Sequence, residues 1–544
     1  MFADLLQSDS ADGRQKQWDL SGTLLAFDRG ETQLLLSFTL NGCFIYCSRA
    51  KLCWAMTRMI LHYSSVTSLA LCASLVMGQV PLLQPQNTTF NSSFTLSDEQ
   101  IAFANLPETV ANNVNVALRF EQSNWATGSV LSDPFYTDLP ANATDAPAGS
   151  LLKVEPFTDT STYTIAPTLA LSRIIYQSKT LNGTTVPVSA YILWPLYPRG
   201  GARRAPLVSW GHGTSGVFAE CAPSHVRNLW YQFSGPYALA LAGYAVVATD
   251  YAGLGVSAYA NGEPIVHQYV ANPAAGYDLL YAAQAAREAF PDQLSEKFVV
   301  MGHSQGGGGA WAAAQLQLEI EIPGYLGSIA AAPVTDAIEM SRLSGTSLGL
   351  MQAAKAFQSV FPDLTLSKML TPRGITIADL AEEISTCNSA LITMANGVLI
   401  EDPSTVLTRD DFVESYYAAS WSNMTVAGGK DFKGPLLVIQ GTDDAAIPEN
   451  LTATFVDKTC EHFANRGLHY LTAEGIGHVP IMYATQQLWL DWLDERFKGS
   501  LHSSDEPGQC SFQHIGGTAP RPLDQYAGDM TYFIEYALDS YLIS

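Results

Sequence analysis

Along this chain, short continuous apolar runs alternate with longer stretches in which apolar residues recur every three or four positions. The runs at 174–180, 186–195, 206–210, 243–251, 298–301 and 325–333 have strand length and are rich in Val, Ile, Leu, Tyr and Ala. The first two are joined by Leu181-Asn-Gly-Thr, an Asn-Gly hairpin signal. The stretch 274–290 has the helical period. Uninterrupted apolar strands separated by helices predict an α/β fold with a mostly parallel sheet covered on both faces. The alternation stops at 335–433. There the pattern is helical only, with Leu348, Met351, Ala354 and Phe361 near one face and a second periodic run over 375–398. Strand patterns resume at 434–440 and 468–471, and a helix is predicted at 482–497. Residues 151–334 and 434–500 therefore read as one core. The intervening segment of about 100 residues is long enough to be a helical domain of its own. Its place in the order puts it over the carboxyl edge of the sheet as a cap or lid; a purely stabilising subdomain is the other reading.

The two ends read differently. Residues 1–55 have no clear period or catalytic pattern and are expected to be a non-native extension or a disordered arm. Residues 56–78 have a basic start, a short apolar run from Val66 to Met77 and small residues near Gly78, the layout of a secretory signal. A membrane anchor is the rival, disfavoured because the run is short and interrupted by Ser and Thr. Residues 79–150 are polar and read as an exposed lead-in, in which Pro134-Phe-Tyr begins to dock. The tail 501–544 starts polar and ends in a helical pattern at 532–541.

Composition narrows the class. A net charge of −23 argues against a nucleic-acid partner, because phosphates require Lys and Arg. Six N-x-[ST] triplets, at Asn87, Asn91, Asn142, Asn182, Asn423 and Asn450, point to a secreted glycoprotein. Cys221, Cys387, Cys460 and Cys510 lie in the body of the chain and predict two disulfides, with three pairings open. A zinc site is disfavoured, since no C-x-x-C or H-x-x-x-H spacing occurs.

The chemistry concentrates at Gly302-His-Ser-Gln-Gly, which follows the strand at 298–301 and precedes an Ala-rich helix. This is the G-x-S-x-G nucleophile elbow in its required setting. Gly302 and Gly306 are needed where a side chain would strike the neighbouring strand or helix, and Ser304 is presented at the end of the sheet. A serine hydroxyl needs a base, and the base needs an orienting carboxylate. In chain order the acid should follow the strand after the insertion, and the base the next strand. His478, in Gly475-Ile-Gly-His-Val-Pro, is the expected base. Among the ten histidines, His225, His267, His462 and His469 lack a strand-end setting, and His212 and His303 are expected to be structural or to line the pocket. Two carboxylates, Asp443 and Asp444, end the strand at 434–440, and the turn spacing favours Asp444. The main-chain N–H of Gln305 at the helix start is one expected oxyanion donor. The turn Gly211-His-Gly-Thr-Ser-Gly supplies the second through Thr214 or the neighbouring Gly213.

These pieces resemble the α/β-hydrolase superfamily and, within it, the secretory lipase family of fungi and bacteria. The resemblance rests on His212-Gly-Thr-Ser-Gly with Cys221-Ala-Pro-Ser, on Val246-Val-Ala-Thr-Asp-Tyr-Ala-Gly-Leu-Gly, on Gly302-His-Ser-Gln-Gly-Gly, on Gly441-Thr-Asp-Asp and on Gly477-His. It covers residues 150–500. It implies hydrolysis of carboxylic esters through an acyl-enzyme, a helical cap that holds acyl chains, and no metal or organic cofactor. The partner it implies is an ester or lipid substrate met at a lipid–water interface. A monomer is expected, with no stable transmembrane span once the signal is removed. The same triad would also serve an esterase on short or aromatic esters or a serine peptidase, and a catalytically dead binding protein is the non-enzyme alternative.

Overall fold

The computed structural model describes residues 92–344, 348–499, 510–517 and 519–528, and two short strands, β1 (Gln17–Trp18) and β2 (Leu24–Leu25). The leader-like segment 56–78, the triplets at Asn87 and Asn91, and the helical pattern at 532–541 lie outside the described residues, as does most of 1–55. β1 and β2 pair antiparallel within a first unit, 1–88; all that follows concerns the second, 89–544.

After a short helix at Asp98–Phe103, the second unit continues with helix α1 (Glu108–Ser123). Strands β3 (Leu151–Glu155), β4 (Ala170–Lys179), β5 (Thr185–Trp194), β6 (Ala205–Gly211) and β7 (Ala245–Thr249) follow, then α2 (Asn272–Ala289), β8 (Leu294–His303), α3 (Gln305–Ile320) and β9 (Tyr325–Ala331). Five helices come next: α4 (Ala337–Ser344), α5 (Leu348–Val360), α6 (Pro372–Glu383), α7 (Asn388–Glu401) and α8 (Tyr416–Thr425). The chain then returns to the sheet through β10 (Leu436–Gly441), α9 (Glu449–Phe463), β11 (Leu468–Ala473), α10 (Gln486–Lys498) and β12 (Ser511–Ile515).

Ten strands form one sheet in the order β12-β11-β10-β9-β8-β6-β7-β5-β4-β3. Pairing is parallel from β12 through β7 and antiparallel from β7 to β3. The expected hairpin is β4–β5, and Gly183 takes the left-handed conformation (φ 82°) that its turn requires. Side chains of a strand alternate between faces, so the unbroken apolar runs divide in two. Val208, Trp210, Val246, Val299 and Met301 join one core, and Leu207, Ala245, Val247, Phe298 and Val300 the other. β6 is flanked by β7 on one side and β8 on the other, so the strand order switches there. Crevices at the carboxyl ends of a parallel sheet open at such a switch.

The helices α4–α8 pack into one core, which also takes in Tyr269, Val270 and Ala274, and in it Phe357 stacks on Trp421 at 4.1 Å between ring centroids. Three expectations need correction here. Residues 79–150 are no exposed lead-in where they are described. Val110, Ala111, Val114, Ala117 and Leu118 form a stripe at helical spacing on α1 that is buried in this same core. The absent side chain of Gly397 on α7 leaves room for Val110, which a Cβ there would meet at 2.9 Å. The periodic run 375–398 is two helices, broken where Cys387 caps α7 and bonds to Cys221. The polar tail contributes β12, parallel to β11, and the second disulfide, Cys460–Cys510, joins it to α9. Among the described residues no helix is long and apolar enough to cross a membrane.

Glu121 closes α1 onto this layer. Its carboxylate accepts from the main-chain N–H groups of Cys387 (2.9 Å) and Ala390 (2.8 Å) at the start of α7. Desolvation pushes its pKa up to about 7, against the lowering by those N–H groups. An acid raised in the folded state contributes stability that is complete below its ordinary pKa near 4.5 and is lost as pH rises through about 7. The urea midpoint of wild type relative to Glu121→Gln is therefore predicted to be higher at pH 5 than at pH 8. Equal gaps at the two pH values would contradict the assignment.

Candidate active site

Ser304 stands between β8 and α3 at φ 59°, ψ −119°, a conformation that is costly for any residue with a side chain. The main chain holds it there from both sides. Its N–H donates to Ala331 O at 2.9 Å, and its carbonyl accepts from Gly308 N and Val334 N, each at 3.1 Å. The two flanking glycines are obligatory by contact. A Cβ on Gly302 would lie 2.1 Å from Gly306 O, and one on Gly306 2.0 Å from Gly211 O. The sharp turn pushes the Ser304 hydroxyl to the end of the sheet.

Two other strand ends meet it. His478 follows β11, and its Nε2 lies 2.9 Å from Ser304 Oγ. Its Nδ1 lies 2.7 Å from Asp444 Oδ2, after β10. With Nδ1–H donating to the carboxylate, Nε2 is the acceptor that faces the serine hydroxyl. The Asp444 carboxylate is wholly buried and fully engaged. It also accepts from Gln440 Nε2 (2.9 Å) and from the main-chain N–H groups of Ala446 (2.9 Å) and Ile447 (2.8 Å). Burial raises its pKa, but His478 and these donors outweigh it and hold the carboxyl below its ordinary value. Asp443 is exposed and makes no contact with His478.

The loop after β6 lies against the serine. A Cβ on Gly213 would come within 3.1 Å of Ser304 Cβ and would overlap Tyr231 Oη at 1.9 Å, so only glycine fits. Thr214 lines the same cavity as Ser304, its hydroxyl 2.9 Å from Tyr269 Oη. Gln305 opens α3 directly after Ser304, and its side-chain amide donates to His267 Nε2 at 3.0 Å.

Several contacts here carry no signature in the sequence. Tyr231 donates to His303 Nδ1 (2.6 Å), and His303 Nε2–H donates to the carbonyl of His478 (2.8 Å). Burial pushes the His303 pKa down to about 3, so the ring stays neutral and acts as a brace. Gln440 is bound in turn by Thr452 (2.8 Å) and steadies Asp444. The Ala-Thr-Asp-Tyr and Cys-Ala-Pro-Ser pieces also meet. Asp250 accepts from Ser224 N (2.8 Å) and from the hydroxyls of Ser224 and Ser189, at 2.5 and 2.6 Å, which fixes the Cys221 loop to the end of β7. Over these groups lies a cavity of about 800 Å³. Ser304 and His478 reach it from the sheet; Met340, Leu350, Ile392 and Val413 line it from the helices.

A family model described as the alpha/beta hydrolase fold matches residues 212–484. No curated protein sequence matches the chain. Among solved structures, lipase A from Candida antarctica in its closed state is similar at 16% identity and a TM-score of 0.56, over 74% of this chain and 93% of that one. A ligand-bound form of the rice cell wall degrading esterase LipA from Xanthomonas oryzae is similar at 17% identity and a TM-score of 0.50, over 65% and 100%. At these identities the likeness shows the fold.

The geometry separates the two aspartates. Asp444→Asn is predicted to lower kcat toward an ester by about 10⁴-fold, because the amide no longer fixes the histidine tautomer. Asp443→Asn should stay within about twofold, as a surface change remote from the contact. Steady-state kinetics of the two variants checks this; a larger loss at Asp443 would reverse the assignment.

Proposed function

The chain belongs to the alpha/beta hydrolase fold family, and from that premise we propose that it is a secreted serine hydrolase of carboxylic esters, of lipase or esterase type. The observation that carries the reading is the unbroken chain of hydrogen bonds from Ser304 Oγ through His478 to Asp444, beside a cavity lined in part by apolar side chains.

In this reading Ser304 Oγ attacks the ester carbonyl as His478 Nε2 takes its proton. The N–H of Gln305, with that of Thr214 or Gly213, holds the oxyanion. The proton passes from His478 to the leaving alcohol, and Asp444 stabilises the imidazolium that forms in between. Water then repeats the sequence on the acyl-enzyme and releases the acid. No metal or organic cofactor takes part. The helices of 335–433 act as a cap whose apolar side chains receive the acyl chain, and the Cys221–Cys387 disulfide ties that cap to the loop behind the oxyanion turn. Export is supported by the two disulfides, which persist in oxidising compartments, and by the exposure of Asn142, Asn182, Asn423 and Asn450.

The test is hydrolysis of p-nitrophenyl esters of rising acyl length, with a triglyceride emulsion in parallel, by wild type and Ser304→Ala. Wild type should hydrolyse them, and the variant should lose on the order of 10⁶ in kcat. Activity on long chains and emulsion marks a lipase; activity confined to short soluble esters marks an esterase. Ester hydrolysis by Ser304→Ala near the wild-type rate would overturn the proposal.

A further inference from the structure

The lining of the cavity mixes apolar side chains with exposed polar ones such as Arg342, Asn396, Arg409 and Asp410, and it also holds a buried pair of amides that the ester chemistry does not use. Gln352 on α5 is 7% exposed, and Asn388, the first residue of α7, is 9% exposed; both line the cavity. Gln352 Nε2 donates to Asn388 Oδ1 at 3.3 Å. That leaves Gln352 Oε1 as an acceptor and, beside the second N–H of Gln352, Asn388 Nδ2 as a donor, with no protein partner among the described residues. Exchanging O and N in both amides keeps the bond and the remainder: one acceptor on one residue, one donor on the other. Leu348, Leu350 and Ile392 line the same cavity.

The pair is fixed in place. Asn388 N–H donates to Ser215 O at 2.8 Å, and the preceding Cys387 is bonded to Cys221. Ser215 directly follows Thr214 in the turn that lies against Ser304. The start of α7, with Asn388, is therefore anchored to the turn that reaches Ser304, and the Gln352 amide is bonded to it. A hydrocarbon chain lying there would leave an amide oxygen and an amide N–H unpaired and out of water, an arrangement that costs free energy. A hydroxyl, which donates and accepts at once, satisfies both.

We propose that Gln352 and Asn388 are specificity-determining residues that select esters carrying a hydroxyl within a few atoms of the ester group. The inference rests on the ester-hydrolase reading above. The hydroxyl can be borne by the acid, as in a 3-hydroxyacyl ester, or by the alcohol, as in the ester of a polyol; the amides recognise the same group in both.

The experiment compares kcat/KM within matched pairs, using the full chain. The acyl arm is p-nitrophenyl 3-hydroxyoctanoate against p-nitrophenyl octanoate. The alcohol arm is 2-hydroxyethyl octanoate against ethyl octanoate, followed by acid release. The hydroxylated member is expected to be favoured about tenfold or more in one arm, the effect of one well-placed hydrogen-bonding group, and that arm identifies the source. Gln352→Met, shown to be folded by its melting temperature, should bring that ratio close to one. Wild-type ratios at or below one in both arms would overturn the inference while leaving the hydrolase reading standing, as would a ratio unchanged in the folded variant. Hydrolysis of none of the four esters would overturn the parent reading, and this inference with it.

Discussion

The arrangement depends on a strained turn. Ser304 occupies a backbone conformation that a free chain avoids, and it is held there by β9 and by its own helix. The central strand can end so abruptly only because Gly302, Gly306 and Gly211 let three backbones touch. That contact brings the ends of β6 and β8 together at the point where the strand order switches. The serine, the loop over it and the start of α3 are therefore placed by main chain, not by adjustable side chains.

Around the turn the histidine and the acid are braced from behind. Asp444 is engaged by four donors, so its orientation does not depend on His478 alone. His478 is held by its ring partners and, through its carbonyl, by the Tyr231–His303 pair. The helices above are anchored by different means: a disulfide to the Cys221 loop and a carboxylate of α1 at the start of α7. The layer over the cavity is thus fastened at the end nearest the serine.

Much of this was legible in the sequence because it is local. The elbow declares itself through glycine spacing, and Asp444 and His478 through their distance past apolar strands of unmistakable pattern. What stayed hidden is long-range. Residues 79–150 look polar by composition, yet the stripe from Val110 to Leu118 is helical and finds its partner almost three hundred residues later on α7. β12 is a short strand with three exposed residues, stabilised by pairing and a disulfide rather than by its own apolar content. Tyr231, Gln440 and the Gln352–Asn388 pair carry no spacing rule, because each acts through a contact that only the folded chain creates.

The central claim is that Ser304 is the nucleophile and that His478 activates it. The most direct measurement is reaction of the full chain with a fluorophosphonate, followed by peptide mass spectrometry and a parallel ester assay. The account predicts one adduct per chain, on Ser304, formed in step with the loss of ester hydrolysis and strongly suppressed in His478→Ala. An adduct on another residue, or ester hydrolysis that survives complete modification of Ser304, would contradict it.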